Sequence, residues 1–201
     1  MNLSNLIVFI PALLVSMTVH EASHAGMSYL LGDHTAKHEG RLSLNPLVHI
    51  DPIFTVLIPG IMIALGQPPI MAAKPVPFNP YAVKFGEFGA ALVAVAGPVS
   101  NLLLAILAAI FLRLTSAGVV QDVVGFFLTL NVSLAIFNLV PWPPLDGSRV
   151  LYAFAPEPLQ KVMDRIEGFG ITGLFIFIFI AWKFVSPFVG GVEDAILRIL
   201  T

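Results

Sequence analysis

The chain has 201 residues, of which 57% are hydrophobic and 11% charged, and its formal net charge is −2. Soluble domains carry about 25% charged residues, so this chain lacks the polar side chains that a globule needs on its surface. Its mean hydropathy of +0.92 indicates an integral membrane protein. The small net charge gives no reason to expect a nucleic-acid partner, and the absence of cysteine excludes disulfides and thiol catalysis.

Long stretches without charge predict the membrane-embedded elements in chain order. The predicted hydrophobic segments are 3–31, 52–73, 88–112, 123–145 and 168–182. Because a backbone in lipid must satisfy its own hydrogen bonds, the long runs predict α-helices. Segment 52–73 is broken by prolines and glycines, which predicts a re-entrant or short segment. We therefore expect an α-helical polytopic membrane protein with about four full transmembrane helices plus this fifth segment.

The connections predict the remaining organisation. "KHEGRLSLNPLVH" and "AKPVPFNP" are rich in β-formers and turn formers, which predicts a small β-like, membrane-associated region within 32–87. Residues 188–201 predict a short interfacial helix. Without an internal repeat or an appended soluble domain, we expect one membrane-embedded domain over 1–201. Its catalytic core would cover about 3–152, and a C-terminal helix and tail would cover 168–201.

The first hydrophobic segment contains "HEASH", formed by His20, Glu21 and His24. Positions i and i+4 share a helix face, so both imidazoles can bind one ion. In zinc peptidases with this motif the glutamate takes a proton from the water that zinc activates. Ionisable groups at the centre of a membrane helix cost roughly 2.5–3.5 kcal/mol each on insertion scales. That cost favours a metal site over an accidental match.

A catalytic zinc needs a third protein ligand, and the sequence leaves several candidates open. His34, His38 and His49 lie in a polar connection, where solvated histidines are the simpler interpretation. Asp146 follows the prolines of "NLVPWPPLDG", where the aspartate is either a helix stop or a ligand.

Topology favours Asp146. At about 1.5 Å per residue, His20 lies past the middle of the first helix, and Asp146 lies near the end of its own hydrophobic run. The two meet if 88–112 is one full crossing between them and 52–73 enters and leaves on one side. With the N-terminus outside, the positive-inside rule holds, because seven basic residues are cytoplasmic and three are external. The cytoplasmic residues are Lys37, Arg41, Lys74, Lys84, Arg149, Lys161 and Arg165, and the external ones are Arg113, Lys183 and Arg198. The metal would then lie within the bilayer, toward the cytoplasmic side.

Polar and small residues in the later segments suggest further roles. Gly97 in "AGPVSN" favours close helix packing, and Asn101 is a candidate for holding a substrate backbone. Asn138 could donate to the oxyanion of a peptide under attack, or it could make an ordinary interhelical hydrogen bond. The sequence leaves these alternatives open.

"HEASH", "GPVSN" and "NLVPWPPLDG", in that order, resemble the site-2 protease family of intramembrane zinc metalloproteases. With "LNPLVHIDP" and "AKPVPFNP", the resemblance is to short bacterial members without a PDZ domain, and it covers roughly residues 12–152. It implies one Zn²⁺ held by His20, His24 and Asp146, with Glu21 as general base and Asn138 near the substrate or oxyanion. It also implies a multi-pass protein of the cell membrane that cleaves transmembrane segments of other proteins in regulated intramembrane proteolysis.

Two other functions compete with this one. A metal transporter also buries His and Asp near the midplane, but transporters usually show internal repeats, and this chain shows none. A catalytically dead scaffold is disfavoured because every expected catalytic group is present.

Overall fold

The computed structural model describes residues 3–64, 73–170, 172–173, 177 and 182–201, and every regular element in those ranges is helical. The long helices are α1 (Leu3–Leu30), α4 (Gly86–Leu114), α5 (Val119–Asn138) and α8 (Trp182–Leu200). The short elements are α2 (Thr35–His38), a 3-10 turn (Pro46–His49), a π-helical turn (Pro52–Leu57), α3 (Ile58–Ala64), α6 (Asp146–Phe154) and α7 (Glu157–Glu167).

Three helices in the described ranges are long and apolar enough to cross a membrane. They are α4, α5 and the Ile7–Leu30 part of α1. They correspond to the predicted segments 3–31, 88–112 and 123–145, although α5 ends at Asn138 before the proline cluster. The fourth full span, expected at 168–182, lies mostly outside the described residues. The predicted helix at 188–201 is the second half of α8, which begins at Trp182.

Helix α4 is the centre of the fold and packs against α1, α5 and α6. Its buried residues are mostly small: Gly89, Ala90, Ala91, Ala94, Gly97, Ala105, Ala108 and Ala109. Small side chains let helix backbones approach closely, which is how helices associate where lipid removes the hydrophobic driving force. Toward its C-terminal end, α4 shares an apolar core with Leu128 and Val132 of α5 and Val189 of α8.

The predicted β-like region is wrong for the described part of 32–87, which contains no strand. Residues 73–85 form an irregular strap beside α1. Prolines 75, 77 and 80 remove three N–H donors from it, so it cannot complete a ladder. Two of the remaining backbone N–H groups bond to carbonyls of the chain after α1 instead: Lys74 N to His49 O (2.9 Å) and Lys84 N to Leu31 O (2.9 Å). The first of these bonds brings together the two ends of the stretch between His49 and Lys74.

Asp33 fastens this strap to the end of α1. Its carboxylate is 1% exposed and accepts hydrogen bonds from Ser28 Oγ (2.9 Å), Thr35 N (3.0 Å), Thr35 Oγ1 (2.6 Å) and Asn79 N (2.7 Å). Burial alone would raise the pKa of Asp33, but these bonds from Thr35, Asn79 and Ser28 lower it below its ordinary value of 3.8. The ionised form therefore stabilises the fold.

We expect Asp33→Asn to destabilise the protein by about 1–3 kcal/mol, because an amide turns its own N–H groups toward buried donors. In the wild type this stabilisation is complete above the ordinary carboxyl pKa and is lost as pH falls through the lowered pKa of the folded state. The variant should lack that acid dependence. Thermal unfolding in detergent between pH 2 and 7 measures both effects. Exposed Glu39, at the end of α2, supplies the matched control Glu39→Gln, and equal midpoints for the two variants would contradict the assignment.

Candidate metal centre

Two imidazoles from the middle of α1 face each other in the protein interior. His20 is 7% exposed and His24 is 8% exposed, and their Nε2 atoms lie 3.0 Å apart. They are one helical turn apart, as the spacing predicts. Asp146, the first residue of α6, joins them: its Oδ2 lies 3.1 Å from His20 Nε2 and 3.4 Å from His24 Nε2. One ligand atom from each residue falls within 4.8 Å of the other two.

The outer nitrogens of both rings bond to α4. His24 Nδ1 donates to the carbonyl of Val93 (2.7 Å), and His20 Nδ1 donates to Oδ1 of Asn101 (2.6 Å). Because a carbonyl only accepts, Nδ1 of His24 carries the proton, and its neutral ring turns a lone pair at Nε2 inward. Val93, Gly97 and Asn101 follow each other at intervals of four, so one stripe of α4 serves both histidines.

The inward-facing atoms suit a cation. Two imidazole lone pairs and a carboxylate oxygen point at one another, and Asp146 Oδ2 is buried with no hydrogen bond. Such a set of acceptors is repulsive until a positive charge lies among them. Two nitrogens and one oxygen are a zinc donor set, and three protein ligands leave the open position of a catalytic site.

Gly97 provides the space for the imidazoles. A Cβ at this position would lie 2.4 Å from His24 Nε2 and 2.6 Å from His20 Nε2. No side chain fits there, so the backbone of α4 itself forms one side of the centre. The interpretation of Gly97 as a close-packing residue agrees with this geometry.

Asp146 reaches α1 because the chain folds back sharply after α5. A Cβ at Gly147 would lie 2.1 Å from the carbonyl oxygen of Leu139, so the turn requires glycine there. Trp142 stacks on Phe177 with ring centroids 5.3 Å apart, which holds the turn against the apolar core. The turn between α5 and α6 thus brings the carboxylate of Asp146 next to two histidines that lie more than a hundred residues earlier in the chain.

Glu21 lies beside the first histidine and is partly exposed. Its Oε2 accepts a hydrogen bond from Val76 N of the strap (3.1 Å). Pro75 and Pro77 have no N–H, so Val76 holds the only backbone donor of that triplet. The strap therefore fixes one oxygen of Glu21 and leaves the other uncommitted among the described hydrogen bonds.

Comparison with known proteins agrees with this geometry. Residues 113–181 match the model of peptidase family M50. The chain is 36% identical to "Putative zinc metalloprotease YwhC" of Bacillus subtilis, over 94% of this chain and 89% of that protein.

The chain belongs to peptidase family M50.

Two further M50 relatives are longer than this chain. "Putative zinc metalloprotease Rip2" of Mycolicibacterium smegmatis is 33% identical, over 82% of this chain and 63% of the relative. The Rip2 protein of Mycobacterium tuberculosis strain H37Rv is 28% identical, over 89% of this chain and 66% of the relative. No solved structure matches the chain. Membership in M50 confirms the resemblance to site-2 proteases.

The structure of this M50 peptidase narrows the choice of third ligand. Among the described residues, the group that could hold a metal ion contains Asp146 and none of the three histidines after α1. His34 and His38 are exposed around α2, while buried His49 donates from Nε2 to the carbonyl of Ser43 (2.8 Å). These three histidines belong to the surface and to loop packing.

The two asparagines have different surroundings. Asn101 is fully buried against His20, so the interpretation that it holds a substrate backbone does not fit this structure. Sequence reasoning missed its bond to His20, although its position one turn after Gly97 on the same face of α4 was a usable signal. Asn138 is partly buried at the end of α5 and donates from Nδ2 to Leu134 O (2.9 Å). Its role toward an oxyanion stays a prediction.

We expect Gly97→Ala to abolish zinc binding, because the added methyl group would overlap both Nε2 atoms. Zinc content of the purified protein, measured by mass spectrometry of the metal, checks this. Gly125→Ala in α5 is the matched control, since a Cβ there meets nothing within 4 Å. Full zinc content in the Gly97→Ala protein would contradict the assigned site.

Proposed function

We propose that this protein is an intramembrane zinc endopeptidase that hydrolyses peptide bonds in or near transmembrane segments of other membrane proteins. Its membership in M50 and its relatives' names identify it as a zinc metalloprotease. The observation that carries the finer proposal is that Asp146 converges on His20 and His24 of α1, a helix long enough to span a membrane, with Glu21 beside them.

His20, His24 and Asp146 would hold one Zn²⁺ in this proposal. When bound, zinc polarises a carbonyl and lowers the pKa of a ligand water to about 7. Glu21 accepts the proton of the attacking water through its uncommitted oxygen and passes it to the leaving amine. Val76 N keeps the carboxylate from rotating away during this transfer. The amide of Asn138 donates to the developing oxyanion after releasing its own helix carbonyl.

The depth of the site supports cleavage inside the bilayer. The apolar part of α1 is Ile7–Leu30, and at 1.5 Å per residue His20 lies about 20 Å from its start and about 15 Å from its end. Both distances support a site inside a hydrocarbon core about 30 Å thick. The end of α1 joins the connection that contains Lys37 and Arg41, so the positive-inside rule puts the nearer face in the cytoplasm.

The stretch between His49 and Lys74 supports this topology. Because Lys74 N bonds to His49 O, the chain leaves and returns at one point. The described part of that stretch is a short apolar helix, Pro52–Ile63. The two ends of the stretch therefore lie at one membrane face in this proposal, so α4 carries the chain to the opposite face and α5 brings Asp146 back to the side of His24.

A transmembrane substrate fits a site of this kind. Peptide bonds in a helix are shielded by their own hydrogen bonds, so a substrate helix must unwind before its carbonyl can reach the metal centre. Polar groups of the site can form hydrogen bonds with the substrate backbone in place of the helix's own bonds, which favours that unwinding. We therefore place the protein in regulated intramembrane proteolysis.

We expect Glu21→Gln to abolish cleavage while zinc stays bound, because Glu21 is beside the ligand cluster but not part of it. Asp146→Ala should lose both peptide cleavage and zinc binding. Cleavage of a reconstituted transmembrane substrate and metal analysis of the same samples separate the two. Zinc content of Glu21→Gln is its own control for folding. Retained cleavage in Glu21→Gln would refute the general base, and zinc flux into liposomes would favour a transporter.

We expect Val76→Pro to lower kcat about tenfold or more with little change in KM or in zinc content, because it removes the N–H that holds Glu21. Because position 76 precedes Pro77, its backbone favours the extended region, which proline can also adopt. Val76→Ala retains the N–H and is the matched control. Steady-state kinetics on the same reconstituted substrate check this; equal kcat in both variants would show that the contact does not position Glu21.

A further inference from the structure

A chain of buried amides runs from α5 through α4 to the metal centre. Asn131 Nδ2 donates to its own helix at Phe127 O (2.9 Å), and Asn101 Nδ2 donates to Asn131 Oδ1 (2.9 Å). Asn101 Oδ1 accepts from His20 Nδ1 (2.6 Å). Both asparagines are 0% exposed, so solvent does not compete for these bonds.

This chain has a direction because it begins at a backbone carbonyl. The carbonyl of Phe127 only accepts, so the amide nitrogen of Asn131 faces it and the side-chain oxygen faces Asn101. The nitrogen of Asn101 therefore faces that oxygen, and its second hydrogen reaches Ser16 O on α1 (3.3 Å). The oxygen of Asn101 is then left for His20.

The opposite orientation of Asn101 would set oxygen against oxygen at both Asn131 and Ser16. It would also present N–H groups to His20, which would move the ring proton to Nε2 and remove the lone pair that a metal needs. A buried, half-satisfied amide network of that kind is costly. The observed orientation avoids all three conflicts.

We propose that Asn131 is a positioning residue of the metal centre: acting through Asn101, it fixes the Nδ1–H tautomer of His20 and aims Nε2 at the zinc. His24 needs no such relay, because the carbonyl of Val93 fixes its tautomer directly. The inference rests on the proposed role of His20 as a zinc ligand. A mere packing role for Asn131 would predict loss of stability without a specific effect on His20.

The first test is zinc affinity of the full-length protein in detergent, measured by competition with a chromophoric chelator. Removing an outer partner of a ligating histidine typically weakens metal binding 10–100-fold, and because Ser16 O still orients Asn101 we expect about tenfold for Asn131→Leu. Ser133→Ala is the matched control, because Ser133 lies two residues along α5 and bonds to Glu193 (2.6 Å) away from the ligands. Unchanged affinity in Asn131→Leu would overturn the proposal.

Asn131→Asp tests the direction of the relay. The aspartate keeps an acceptor for Asn101 but loses the donor to Phe127 O, so zinc affinity should stay within about threefold of the wild type while thermal stability falls. A packing role predicts the reverse pattern, with affinity following stability in every variant. That outcome would overturn the relay, including when Asn131→Leu fails to fold.

Nitrogen-15 spectra of the zinc-loaded wild type provide a test that needs no variant at Asn131. His20 should show a protonated Nδ1 whose hydrogen exchanges slowly with water, because Asn101 shields it. Rapid exchange, or an unprotonated Nδ1, would refute the relay. If His20→Ala keeps full zinc affinity, the proposed metal site itself fails; if it loses zinc but Asn131→Leu does not, only the relay fails.

Discussion

Three candidate metal ligands face one another in the protein interior, and this arrangement organises the protein. Two of them, His20 and His24, are a local property of α1, whereas Asp146 comes from a turn more than a hundred residues later. The set is repulsive without a cation, so metal binding and docking of the α5–α6 turn stabilise each other. In the membrane position that we propose, an uncompensated carboxylate would have no water to solvate it, which would strengthen this linkage.

Helix α4 supplies no ligand, yet the centre depends on its backbone and its small residues. The stripe of Val93, Gly97 and Asn101 matches the spacing of the two histidines, since both repeat at one helical turn. Such a match between two packed helices fixes the rotation of each about its axis. The strap holds the side chain of Glu21 through the bond from Val76 N, and the strap itself is anchored at Asp33. The candidate ligands and the proposed base are thus held by separate parts of the chain.

The sequence predicted what depends on composition and spacing. Runs without charge located α1, α4 and α5, and the interval of four in "HEASH" put both imidazoles on one face. Asp146 was favoured as the third ligand because that argument depends on the number of membrane crossings, which the sequence predicts, and not on side-chain contacts. The prediction of a β-like region in 32–87 was wrong because it relied on β-forming side chains and ignored the backbone N–H donors that the prolines remove. The bonds of Asn101 and Val76 depend on which side chains meet across helices, and a single sequence does not contain that information.

The glycine on α4 has a stereochemical consequence. Gly97 leaves room for the imidazoles but not for a side chain, so one hemisphere of the candidate metal site is closed by helix backbone. The side chain of Asp146 is 21% exposed, about twice as much as either histidine, so the open hemisphere is on its side. If the protein cleaves peptides as we propose, the carbonyl and the attacking water would share that hemisphere, and a peptide would offer only one of its two faces to addition.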